Sequence, residues 1–366
     1  HASPCHEDTA LALSEPLRGP AFARETARLR RGLVGEFDVA NRSAALSLAR
    51  HYLSAWLAAE AAWVLETFAG GSREALPLRL VATAMGESAG GPHDPAGCTG
   101  LHALWQAFRA ARENRPRAAL AALRASGDAL ERLPPGLGLR VSAELGLAAL
   151  AAGNAERARA LHAMARRRHR ADVPMPATAH LLEARLARLD GRPDVALGQL
   201  RRLWRRAFRD PAAAPAMVEL ARMVLSGDVP GDVDTHLLRL DLGALARERR
   251  STALGAAALI AEARLTARAY GRESGLEILE LARANGRLSE KAYADAVAEL
   301  ARAEAGRGDR IPLAILHSRD PERFAPALED PAFRGALARS YARLAMPARA
   351  RGVLRGGDRG DPRLAR

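Results

Sequence analysis

Apolar and small residues recur along this chain with the spacing of α-helices packed in pairs. Leu48-Ala49, Gln106-Ala107, Leu145-Gly146, Glu183-Ala184, Leu220-Ala221, Glu262-Ala263, Leu300-Ala301 and Leu337-Ala338 each set a small residue behind an apolar or helix-favouring one. Their steps are 58, 39, 38, 37, 42, 38 and 37 residues. A second register runs through Pro116, Pro193 and Pro347, each followed three residues on by alanine (Ala119, Ala196, Ala350) and seven on by leucine (Leu123, Leu200, Leu354). These prolines stand 77 and 154 residues apart, and half of 77 is the step of the first register. Adding that half-step to Pro116 lands near Ala155, where Ala158 again follows three residues later. The two registers predict a stack of helix pairs after one longer insertion near residues 70 to 100.

Within a unit the pattern predicts helix, short turn, helix. Small residues such as Gly146, Ala149 and Ala158 let two antiparallel helices come close, and Gly153 supplies the left-handed backbone that ends the first of them. Pro116, Pro193 and Pro347 fall at the first position of the second helix, where a missing N–H costs nothing.

This arrangement resembles the tetratricopeptide repeat. The best matches are Leu48-Ala49 and Tyr52 with Ala61 and Leu65, Leu145-Gly146 with Gly153 and Ala158, and Leu337-Ala338 and Tyr341 with Ala350 and Leu354. The pattern departs from the family in its longer units, in lacking the early tryptophan, and in placing Trp56 and Ala345 where the turn glycine belongs. The units around residues 221 and 301 match only in their first helix. The resemblance spans roughly residues 40 to 355 and implies an all-α, right-handed α-solenoid of about seven to eight antiparallel helix pairs. It also implies that first helices line a concave groove for a peptide or helix of a partner protein.

Outside the repeats, residues 1 to 20 are Pro-rich and predict a loose N-terminal arm. Residues 21 to 355 form the repeat domain, with a long Gly/Pro loop over 86 to 100, and residues 356 to 366 predict a frayed tail. The longest uncharged stretch, Pro95 to Phe108, has 14 residues, short of the roughly 20 apolar residues that a membrane-spanning helix needs.

Composition sharpens this picture in one respect. Of 55 basic residues only Lys291 is lysine, and the formal charge is +13. The arginine bias is the mark of a GC-rich genome, which lowers the weight of any single cluster, but the sign of the charge still favours an acidic partner. On first helices beside the small positions, Arg50, Arg109, Arg185, Arg222 and Arg264 are the candidates for a basic groove. Arg201, Arg202, Arg205 and Arg206 stack at i and i+4 if the helix continues past Trp204 and Phe208. Charge interleaved with aromatics is what single-stranded nucleic acid binds, so polyanion binding is the second functional reading. Leu200, Leu203 and Ala207 mark the packed face there, and we expect Trp204 and Phe208 to lie buried beside it.

Three further constellations bear on chemistry. Gly86-Glu87-Ser88-Ala89-Gly90-Gly91 matches the nucleophile elbow of carboxylesterases, and Leu76 to Met85 reads as the strand that an elbow needs. Pro92, His93, Asp94 and Pro95, however, follow where its helix must run. A serine esterase using Ser88 is therefore the weakest reading. Cys5 and His6 with His93, Cys98 and His102 could serve zinc but lack the tight paired spacing of structural sites; a Cys5–Cys98 disulfide and two free thiols are the other readings. His51, His162, His169, His180 and His236 share no spacing, and Glu273, Glu277 and Glu280 alternate with arginines as on a salt-laced helical surface. No phosphate loop, dinucleotide fingerprint or His-Glu-x-x-His helix occurs, and no cofactor is implied.

The sequence thus predicts a non-catalytic protein-interaction scaffold that takes no small-molecule substrate. The first residue is His1 rather than Met. With the two loop cysteines, we read this as a processed exported chain, periplasmic in a bacterial envelope or motility assembly, with the cytoplasm as the alternative.

Overall fold

Each paired segment carries its own start and stop signals. The computed structural model describes residues 5–35, 39–86, 97–169, 175–208, 210–228, 233–305, 313–319 and 321–355, and among these residues the regular structure is helical, without a β-strand. Two compact units, residues 1–203 and 204–366, divide the chain, where the sequence predicts one continuous repeat domain.

In the first unit, α1 (Asp8–Leu11) and α2 (Gly19–Arg31) precede the paired helices. These are α3 (Arg42–Ser54) with α4 (Ala58–Phe68), α6 (Gly100–Arg112) with α7 (Pro116–Ala125), α9 (Pro135–Ala151) with α10 (Ala155–Arg168), and α11 (Ala177–Leu189) followed by α12 (Pro193–Trp204). The short α8 (Ala129–Arg132) leads into α9. The insertion between the first two pairs is α5 (Leu76–Met85), a helix in place of the predicted strand. Pro77 opens it from the N-terminal turn, and Leu78, Val81, Ala82 and Met85 recur at i, i+3, i+4 and i+7 on its buried side.

The arm predicted to be loose over residues 1 to 20 is anchored from residue 5 onward. Cys5 is disulfide-bonded to Cys98, and Leu11 is fully buried in the core of the unit.

The small residues singled out by the repeat do close the pairs. Ala49 and Ala107 on first helices, and Ala61, Ala119, Ala158 and Ala196 on second helices, have no solvent-exposed surface. At Gly146 a Cβ would lie 2.5 Å from Leu182 Cδ2 on α11, so the first helices of successive pairs meet there and a larger residue would require the Leu182 side chain to shift.

Five of the turns share one geometry. Trp56, Asn114, Gly153, Gly191 and Ala345 all have positive φ. In each case the next residue's N–H donates to the carbonyl five residues back: Leu57 to Tyr52, Arg115 to Ala110, Asn154 to Ala149, Arg192 to Ala187 and Met346 to Tyr341, at 2.8 to 2.9 Å. This is the Schellman stop, which satisfies the last carbonyls of one helix while redirecting the chain into the next. An L-residue in that conformation costs on the order of 1 kcal/mol, and Trp56 offsets this by packing. Its ring lies edge-on to Phe108 at 5.6 Å and beneath the Arg140 guanidinium at 4.9 Å.

The second unit contains α13 (Pro215–Ser226), α14 (Thr235–Glu248), α15 (Ala253–Tyr270), α16 (Arg272–Ala284) and α17 (Glu290–Ala305). Then come α18 (Leu313–Arg319), α19 (Pro321–Phe324), α20 (Pro331–Arg343) and α21 (Pro347–Leu354). Helix α15 packs against both α14 and α16, and α20 against α21. Ala221, Ala263 and Ala338, three more of the repeating small positions, are buried here.

Close packing makes two glycines behave oppositely. A Cβ at Gly275 on α16 would lie 2.7 Å from both the Ala263 carbonyl oxygen and the Ala267 Cβ of α15. We expect Gly275→Ala to destabilise by about 2 kcal/mol through overpacking. Exposed Gly198, mid-helix in α12 with nothing within 4 Å, should instead stabilise by up to about 1 kcal/mol as Gly198→Ala. Urea denaturation followed by circular dichroism measures both.

Candidate functional site

Arginines do much of the polar work in this fold, and a large part of it is structural. The last carbonyls of a helix have no partner within it. Four arginines reach across from a neighbouring element to fill that role: Arg79 donates to the Leu65 and Ala69 carbonyls at the end of α4, and Arg112 to Met85 at the end of α5. In the second unit Arg268 donates to Val224 near the end of α13, and Arg287 to Ala246 near the end of α14. A cation at a helix C-terminus also opposes the partial negative charge of the helix dipole.

The five arginines predicted to line a groove differ in burial and in partner. Arg109 is buried and paired with Glu113 at 2.8 Å, while Arg50 and Arg185 are half-buried on α3 and α11. In the second unit Arg222 is exposed and paired with Glu219 at 2.9 Å, and Arg264 bridges from α15 to Glu299 of α17 at 2.6 Å.

A cluster that the sequence reading missed is better built. Arg140 and Glu144 sit one turn apart on α9, and Arg112 projects from α6 beside them. Both guanidiniums are exposed and lie over aromatic rings, Arg140 over Trp56 at 4.9 Å and Arg112 over Phe108 at 5.9 Å. Burial drives the Glu144 carboxyl above its ordinary pKa, against the pull of Arg112 and then Arg140. The outcome is two cations fixed in place by aromatic and backbone contacts, flanking one partly desolvated carboxyl. The available signal was the i, i+4 pair Arg140/Glu144 immediately before Leu145-Gly146.

A second polar cluster joins three helices of the same unit. Glu183 on α11 accepts from Gln199 Nε2 of α12 at 3.2 Å and stands 3.9 Å from His180 Nδ1. Its charge also raises the pKa of His162 on α10, but burial outweighs this and, with Arg166, leaves His162 below its ordinary value. Sequence spacing separates these histidines; packing of α10 on α11 brings them to one carboxylate.

At the end of α12 the structure corrects the sequence reading. The helix stops at Trp204, so Arg205 and Arg206 sit in the following turn and do not continue an i, i+4 ridge with Arg201 and Arg202. Arg206 pairs with Asp210 at 3.5 Å, and Trp204 Nε1 donates to Asp241 of α14 at 2.7 Å. Phe208, expected to be buried, is 62% exposed, and Trp204 is half-buried; Leu200, Leu203 and Ala207 are buried.

Of the esterase-like motif only Gly86 lies among the described residues; Ser88 lies outside them, and so does His93 of the zinc reading. The segment before the motif is α5, a helix, not the strand that a nucleophile elbow turns from. Cys5 and Cys98 are joined to each other with Cα atoms 5.5 Å apart, and no group of three or more metal-ligating side chains converges among the described residues. No protein family matches the chain, nor does any curated protein or solved structure.

Burial of His162 has a consequence in acid. A histidine whose folded pKa lies below the ordinary 6.5 is neutral in both states at higher pH, and below about 6.5 the unfolded chain takes up the proton first. Stability should therefore fall as pH drops through 6.5. His162→Gln should lessen that fall without abolishing it, since burial also lowers the pKa of His51, and urea midpoints at pH 7.5 and 5.5 would show the difference.

Proposed function

We propose that this chain is a non-catalytic scaffold of the tetratricopeptide type, a right-handed solenoid of about seven to eight helix pairs that holds an acidic segment of a partner protein. The observation that carries the reading is the pair Arg112 and Arg140. Each is an exposed cation held against an aromatic ring on consecutive first helices. Such pre-positioned guanidiniums lose little freedom on meeting carboxylates, which is where flexible surface charges forfeit affinity. The all-helical pairing, the buried small positions and the +13 charge support the same reading. The Cys5–Cys98 bond supports an oxidising compartment, and we place the protein in the periplasm as part of an envelope or motility assembly.

Affinity capture from a lysate of the source, at low and high salt, should retain one defined acidic protein with the wild-type chain. Arg140→Glu should reduce its recovery about tenfold at unchanged helical content. Equal recovery with the charge-reversed variant would refute the Arg112/Arg140 site.

One observation favours a second reading, polyanion binding. The exposed Phe208 ring stands in the same turn as exposed Arg205 and Arg206, a stacking surface next to positive charge. Binding to a single-stranded oligonucleotide should then weaken steeply with salt, with a shallower slope for the Arg205→Gln, Arg206→Gln double variant and a lower affinity for Phe208→Ala. Salt-independent binding, or none, would dismiss it.

A further inference from the structure

The N-terminal segment is fastened to the first unit at four points, of several kinds. Cys5 is bonded to Cys98, 93 residues away. The His6 N–H donates to His102 Nδ1 at 2.9 Å, and the two rings stack at 5.2 Å. Asp8 accepts from the Leu101 N–H at 2.7 Å, so it caps the N-terminus of α6 from outside that helix, and it also pairs with Arg132 at 2.7 Å. Leu11 is fully buried.

These contacts hold very little regular structure. Helix α1 has four residues, too few to be stable by itself, and residues 12–18 after it form no helix or strand. Gly100, with φ +62, has no side chain to obstruct Asp8; a Cβ there would sit 2.5 Å from the Asp8 Oδ1. Alongside the segment, a shallow surface pocket of about 210 Å³, open to solvent, is lined by Thr9, Ala12, Leu13, Leu101, Leu133 and Pro134.

From this we infer that α1 is an intramolecular occupant of a peptide-docking site, kept there by the Cys5–Cys98 bond. Without the segment, the site consists of an apolar slot for a leucine, the open N-terminus of α6 and the Arg132 guanidinium. Its ligand class is a short helical segment with a carboxylate three residues before a leucine, as Asp8 and Leu11 themselves provide. A partner segment of that chemistry competes with α1 once the bond is reduced.

The redox step uses a dithiol. Its thiolate attacks Cys5 Sγ, which belongs to the exposed partner of the pair, and the S–S bond breaks with Cys98, the buried one, leaving as a thiolate that takes up a proton. The second thiol of the reductant then displaces Cys5, so the protein gains two electrons and two protons and the reductant becomes a disulfide. The inference concerns a different surface from the Arg112/Arg140 pair and does not depend on it.

Two measurements on the full chain test it. In hydrogen exchange, reduction or Cys5→Ser should speed residues 8–12 and the Leu101 amide by about tenfold or more while α9 amides such as Val141 stay protected. A labelled peptide of residues 5–15, with serine for Cys5, should bind the reduced chain and the Cys5→Ser variant but not the oxidised chain. Asp8→Ala or Leu11→Ala in the peptide should each weaken it about tenfold. Residues 8–12 remaining protected after reduction would overturn the latch. So would exchange spreading into α9, which would make the bond a staple of the whole unit. Local loosening without peptide binding would overturn the docking site.

Discussion

The distance at which two helices can pass each other is set by the side chains between them, and this structure depends on keeping those side chains small at repeating places. Ala49 and Ala107 on first helices, with Ala61, Ala119 and Ala158 on second helices, are fully buried, and Gly146 lies against Leu182 of the next first helix. Closeness alone would leave the crossing angle free. The left-handed stop at Trp56, Asn114, Gly153, Gly191 and Ala345 restricts that freedom, because the same backbone geometry sends the chain into the next helix at each of these turns. Spacing and direction are thus controlled locally, and the side chains that carry charge are placed as a result.

That local control explains what could be read in advance. Pro116, Pro193 and Pro347 do open second helices, and the small-residue pairs do mark first helices, because both signals depend on positions within about one helical turn. Helix α5 was misread because Leu76 to Leu80 alternates like a strand, and a short apolar run is compatible with either structure until its neighbours are known. The exposure of Phe208 could not be read because α12 stops at Trp204 without a glycine or proline to announce it. The anchoring of residues 5–11 depends on Cys98, Leu101, His102 and Arg132, all about 90 or more residues away, and no local pattern reports such contacts.

The candidate sites show the same division. Arg50, Arg109, Arg185, Arg222 and Arg264 were chosen by position on a helix, but their surroundings differ, and three of them meet different acids: Glu113 for Arg109, Glu219 for Arg222, Glu299 for Arg264. The cluster of Arg112, Arg140 and Glu144 is assembled from two helices and a turn, and its tryptophan belongs to a third place in the sequence. A charged side chain gets its role from what lies across the gap, which one-dimensional spacing does not contain.

The arginines that close helix ends also link genome to architecture. A guanidinium is a flat fork with several donors; an ammonium is a single point on a flexible stem and reaches a buried carbonyl less well. If base composition drifted so that lysine codons spread, exposed arginines such as Arg31 and Arg117 could be exchanged at little cost. Arg79, Arg112, Arg268 and Arg287 could not, because each replacement would leave a helix terminus poorly satisfied. The arginines at helix ends are thus a structural dependence, whereas exposed arginines are exchangeable.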